Sequence, residues 1–245
     1  MPEYNIMEEA GLSQIKARGR KEQSEEDIKV AERLDFSFYD GSREKGFGGY
    51  YYDGRWRRVA EIIKKRYGLH SGSKVLIDRC HKGFLVYDLM KLIPGIEVWG
   101  IHPSSYPLNH TMEGYGRWVL INGVEKGDSE VIEKKACDEV MPFLIKADNL
   151  NLPFKDDYFD CVISIENVCA FFPEDSVEVL RELVRVAKNN GKSSYIQNDS
   201  WRNEYEEGKL RAWTLLCKDL RGIDEWIKLY SEVGFEGDYG WTVIV

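Results

Sequence analysis

From Lys74 onward the chain alternates short apolar runs with longer amphipathic ones, and no other feature constrains its fold as strongly. Val75-Leu76-Ile77, Val98-Trp99-Gly100-Ile101, Phe143-Leu144-Ile145, Phe159 to Ile165, Ser194-Tyr195-Ile196 and Thr242 to Val245 read as strands. Helical patterns separate them: Phe84 to Met90, stopped near Pro94-Gly95; Val177, Leu180, Leu183, Val184 and Ala187 on one stripe; then about Glu204 to Leu220 and Asp224 to Val233. Uniformly apolar strands joined by helices predict a doubly wound α/β domain, its parallel sheet covered on both faces. In such sheets ligands sit at the carboxyl ends of the strands, near the switch point.

Upstream the pattern is weaker. Residues 1–35 read as a polar N-terminal extension, partly helical, with Ser24 as N-cap and Asp27 three residues on, through Ile28, Ala31 and Leu34. Residues 36–245 read as the domain itself. It opens with a glycine- and aromatic-rich loop, Phe36 to Gly54, and a helix carrying Trp56, Val59, Ile62, Ile63 and Tyr67 on one stripe, with Asp53 to cap it and Gly68 to end it. An insertion at about 108–140 exceeds an ordinary connection and contains Tyr115, Trp118, Val119, Leu120 and Ile121. It is expected to be a cap over the pocket, an oligomer interface, or a β-hairpin turning at Asn122-Gly123.

Net charge of −8 argues against a phosphate-backbone partner, so nucleic acid is not expected. No run has the length of a membrane span, and Met1 to Arg20 has no signal-like apolar core. Five scattered cysteines without a C-x-x-C pair read as reduced cytoplasmic thiols, and no metal is expected.

The run Gly72 to Phe84, with Val75-Leu76-Ile77-Asp78-Arg79-Cys80-His81-Lys82-Gly83-Phe84 at its centre, resembles the first strand and loop of class I S-adenosylmethionine (SAM)-dependent methyltransferases, whose usual form is V-L-D-V-G-C-G-K-G-F. Val98 to Ile101, Ala147 to Phe154 and Phe159 to Ser164 resemble later motifs in the same order. The resemblance implies a Rossmann-like, mostly parallel sheet of seven strands, and SAM or S-adenosylhomocysteine as cofactor.

Aligned on Gly83, Ile77 stands at the position of the family's acid, and Arg79 and His81 at its glycines. Those glycines let a cofactor lie against bare main chain, which large side chains would obstruct. Asp78 is one residue out of register and is expected on the opposite face. His102 stands where a carboxylate would accept both ribose hydroxyls, which an imidazole cannot do. Asp148 occupies the place of an acid near the adenine amino group. The expected vestigial pocket is Cys80, His81, Gly83, His102, Asp148 and Asn149, with Tyr52 from the aromatic loop and Glu166 at the rim.

Free drift of a loop that binds nothing accounts for the changes most simply. The expected function is therefore a noncatalytic methyltransferase-like subunit. It would support or regulate a partner, as a homo-oligomer or beside an active homologue, or bind another small molecule. An active enzyme with a divergent loop acting on a small molecule is the alternative. A third reading has Cys80 or His81 carry new chemistry, as a nucleophile or metal ligand, though no third ligand is spaced for it.

Overall fold

The computed structural model describes residues 1–12 and 23–244, so expectations for residues 13–22 and for Val245 lie outside it. In chain order the helices and strands are α1 (Ile6–Glu9), α2 (Glu25–Ala31), α3 (Phe36–Tyr39), α4 (Trp56–Tyr67), β1 (Lys74–Asp78), α5 (Phe84–Leu92), β2 (Glu97–His102), α6 (Ser105–Asn109), α7 (Tyr115–Asn122), α8 (Ser129–Val140), β3 (Leu144–Lys146), β4 (Cys161–Ile165), α9 (Pro173–Val186), β5 (Tyr195–Asp199), α10 (Glu204–Trp213), α11 (Ile223–Glu232) and β6 (Asp238–Thr242).

Among the described residues the sheet has six strands in the order β3-β2-β1-β4-β5-β6, all pairs parallel. The resemblance implied seven, and that count is corrected; the last strand also lies earlier than the expected Thr242 to Val245, at Asp238–Thr242, with Val243 and Ile244 outside it. Order reverses between β1 and β4, which fixes the switch point at the carboxyl end of β1.

Period-two alternation along β1 sorts its side chains. Val75 and Ile77 enter the core shared with α4 and α5, while Leu76 enters the core under α9 and α11, around Leu180, Leu183, Trp226 and Tyr230. α4 buries Val59, Ile62 and Ile63 and ends at Gly68, whose φ of +62° suits a residue without Cβ. Asp53 does not cap it; its Oδ1 accepts from the amide of Arg55 instead. α2 has the Ser24–Asp27 capping box its sequence announces.

The N-terminal residues join the sheet. Tyr4 N donates to Tyr239 O (2.8 Å) and Tyr239 N to Pro2 O (3.3 Å), so Glu3 bridges β6.

The insertion is helical, and the β-hairpin expectation is overturned. Gly123 ends α7 in an extended conformation, φ −112° and ψ −176°, where a hairpin turn at Asn122-Gly123 needs positive φ. α7 then packs tightly on α8: a Cβ on Gly116 would sit 1.7 Å from Ser129 O. Tyr115 and Val119 turn inward, leaving Ile121 (70% exposed), Val124 (98%) and Val131 (66%) in water.

Candidate functional site

β1, β2, β4 and β5 all deliver polar or charged groups to one mouth: Asp78, His102, Glu166 just past β4, and Asp199. The loop after β1 keeps a glycine-like shape with the wrong residues for it. Arg79 has φ +54° and His81 φ +51°, in the left-handed region that costs a residue with a Cβ about 1–2 kcal/mol. Gly83 follows at φ +77° and starts α5; a Cβ there would press on Val140 at 3.0 Å.

Strain of this kind persists only where surroundings hold it, and the surroundings are specific. Tyr39, at the end of α3, is fully buried and its hydroxyl sits between two imidazoles. His102 Nδ1 lies 3.0 Å from Ser104 N and 3.1 Å from Ser104 O, so it accepts from the one or donates to the other according to tautomer. His102 Nε2 is hydrogen-bonded to the Tyr39 hydroxyl (2.8 Å), and the same hydroxyl is hydrogen-bonded to His81 Nδ1 (2.7 Å). One hydroxyl thus joins the residue at a glycine position of the loop to the residue at the ribose position.

Both imidazoles are held neutral. Burial first, then the Arg79 charge, pushes His102 down to about 3, against a weaker opposing contact with Ser104. Burial, His102 and Arg79 push His81 well below its ordinary value. A depressed histidine contributes stability that is whole above its unfolded value of 6.5 and lost as pH falls toward its folded value. Between pH 7 and pH 5 His102 alone should cost about 2 kcal/mol of stability. Urea melts of the wild type and of His102→Gln, which cannot titrate, isolate this loss; equal pH dependence in the two would refute it.

A second anchor lies beside the first. Lys82 is fully buried and its Nζ donates to both oxygens of Asp40 (3.0 and 2.9 Å) and to Glu113. Asp40 also accepts from Tyr50 N (3.1 Å) and the Tyr106 hydroxyl (2.8 Å). Burial pushes the Asp40 carboxyl up, but these donors outweigh it and hold it below the usual range. The loop lysine therefore clamps the N-terminal segment on one side and the start of the insertion on the other.

Asp78 faces away from Ile77, as its register requires. Its carboxylate accepts from Asn149 Nδ2 (2.5 Å), Ser164 Oγ (2.7 Å) and Asn167 Nδ2 (2.8 Å), tying β1 to β4 and to the connection before it. Burial pushes Asp78 up, opposed by those three bonds.

The expected pocket residues are only partly together. His81 and His102 meet, with ring centroids 5.5 Å apart. Cys80 turns inward against Gly100, where a Cβ would come within 2.8 Å of its sulfur, and burial pushes its thiol up. A buried, protonated thiol is a poor nucleophile, so the geometry supports no chemistry at Cys80. Asp148 is exposed and its Oδ1 accepts from Leu150 N (2.7 Å), while Asn149 is buried on Asp78. Tyr52 lies away from the mouth, donating to Asp88 (2.6 Å) with its ring on Tyr115 and Trp118. Glu166 is half-buried at φ +54° and accepts from Thr242 Oγ1 (2.7 Å). Asn203 starts α10 as its N-cap.

Two things escaped sequence reasoning. Tyr39 is distant in the chain and carries no motif. Cys169, Asp199 and Cys217 also converge, their ligand atoms all within 4.8 Å of one another. Sulfur and carboxylate donors suit an ion such as Zn²⁺, but three fall one short of a closed tetrahedral set.

Arg79 and His81 put side chains where the family pattern has bare backbone, and beside Arg79 lies a cavity of about 120 Å³. Ordinary ligand pockets run to roughly 300–1,000 Å³.

Residues 80–194 match the family described as a methyltransferase domain. No curated protein matches the chain. Among solved structures, a geranyl diphosphate C-methyltransferase from Streptomyces coelicolor A3(2), in complex with Mg²⁺, geranyl diphosphate and S-adenosyl-L-homocysteine, is 14% identical with a TM-score of 0.50, over 71% of this chain and 58% of that one. The MccD protein is 20% identical with a TM-score of 0.48, over 71% and 68%. A putative methyltransferase in complex with the Haloferax volcanii Trm112 activator is 17% identical with a TM-score of 0.45, over 71% and 66%. At these identities the likeness is one of fold.

Proposed function

We propose that this chain, which belongs to the class I SAM-dependent methyltransferase family, is a noncatalytic member whose cofactor mouth is closed by its own N-terminal segment. One observation carries the reading: the buried hydroxyl of Tyr39 is bonded to His81 and His102 together. The two histidines replace a loop glycine and the ribose acid of the family pattern, and the Tyr39 hydroxyl is the partner of both. Losing SAM contacts and gaining a plug are then one change seen from two sides. In this reading the protein works by binding, as a supporting subunit for a second copy or an active homologue, or as a receptor for another small molecule. The exposed Ile121, Val124 and Val131 of the insertion are the surface it assigns to a protein partner.

Isothermal titration of the full chain with SAM and with S-adenosylhomocysteine tests it. No heat of binding is expected at micromolar concentrations of either, and micromolar affinity for one would overturn the reading.

The rival reading, an active enzyme, has one observation in its favour. Arg79 and His81 retain left-handed backbone, so the loop would keep its shape if Tyr39 withdrew. The same titration separates the two, because an enzyme must bind its methyl donor.

A further inference from the structure

Arg79 stands at the mouth with a cationic side chain whose needs the protein does not fully meet. Its side chain is more than nine-tenths buried, with 7% exposure. Nη1 donates to Glu166 O at a long 3.3 Å, and Nε has no partner at all. Among the described residues no carboxylate oxygen forms an ion pair or hydrogen bond with it. A guanidinium has five N–H donors and always carries its charge, and a buried charge without a counter-ion is among the most costly things a fold can hold. Asp78, Glu166 and Asp199 feel its charge, which opposes the larger upward push of burial on each, but none of them forms an ion pair with the guanidinium.

The side chain does not point into packed core. It lines the cavity of about 120 Å³, together with Asn167 and Lys218. Lys218 is matched by Glu32, another wall residue, at 3.0 Å, so the net charge facing the cavity is that of Arg79. Leu34, Pro103, Phe171 and Leu216 make the rest of the wall apolar. We infer that this cavity is a binding site for a small organic monocarboxylate, its carboxylate on the Arg79 fork and its short apolar tail against Leu34 and Phe171.

The volume equals about four water molecules in the liquid, which suits an acid of four to six heavy atoms, roughly. A dianion such as phosphate fits less well, because one uncompensated positive charge and apolar walls leave its second charge unpaired. Since Glu32 and Leu34 belong to the N-terminal segment, the cavity exists only while that segment is docked. The inference thus rests on the closed-mouth reading and gives it a ligand class.

The experiment is titration calorimetry of the full chain with sodium butyrate and sodium propionate, with inorganic phosphate and chloride at matched ionic strength, and with SAM as a separate arm. Saturable binding of butyrate is expected. Arg79→Gly, which relieves the left-handed strain and should fold, is expected to weaken it about tenfold or more, and Arg79→Lys by less. Butyrate affinity unchanged in Arg79→Gly, phosphate bound as tightly as butyrate, or no saturable heat from either carboxylate would each overturn the site. SAM binding with butyrate binding intact would sink the closed-mouth reading alone.

Discussion

Tyr39→Ala is expected to lower the stability of the protein by about 3–5 kcal/mol, the range for truncating a fully buried aromatic side chain. The ring packs among Phe38, Phe47, Tyr50 and Tyr106, with centroids 5.2–5.9 Å away. Its loss also strands His102 Nε2 and His81 Nδ1, both in buried neutral imidazoles. Tyr39→Phe separates the two effects. It keeps the ring and removes the hydroxyl, so only the stranded groups are felt, at about 1–3 kcal/mol. Urea melts measure both. If the Ala and Phe variants unfold at the wild-type midpoint, the N-terminal segment is not seated in solution and the plug has no energetic substance.

The second large effect is at Lys82. Lys82→Met keeps the length and apolar stem but removes the cation that two carboxylates share, leaving Asp40 buried, with only 4% side-chain exposure. Breaking a buried pair by removing one partner costs about 3–5 kcal/mol. Pairing Lys82→Met with Asp40→Asn should recover part of that loss, because no charge is then left alone. The coupling is read from a double-mutant cycle. Strict additivity of the two single losses would mean that the lysine and aspartate do not depend on one another, contrary to the geometry.

The fold was readable because its signals are local and repeated. Val75-Leu76-Ile77 or Cys161 to Ile165 can hardly be anything but buried strand, and Gly68 announces its helix end in one residue. The insertion misled because Asn122-Gly123 is a strong turn signal taken alone, while the fact that overrides it, the backbone contact of Gly116 with Ser129, joins two helices and has no sequence pattern. At the site, sequence showed which positions had changed but not what had replaced the lost contacts. Aligning Arg79 and His81 with glycines anticipated side chains where a ligand would lie. That both are answered by one phenol needed Tyr39, 42 residues from His81. Likewise nothing in the spacing of Cys169, Asp199 and Cys217 hints that they meet. Such convergences are properties of the folded chain and are invisible to any window along it.

The bridge between Glu3 and β6 has a consequence for how this protein can associate. A parallel sheet left open at its margins offers unpaired amides and carbonyls to any passing strand. Here β3, only three residues long, forms one margin, and residues Pro2 to Tyr4 cover part of the other. Growth of the sheet across a subunit boundary is thereby blunted on both sides. A partner, whether a second copy or a homologue, must then be met through helix surfaces and their side chains, where specificity is set by shape and charge and not by the common currency of backbone hydrogen bonds.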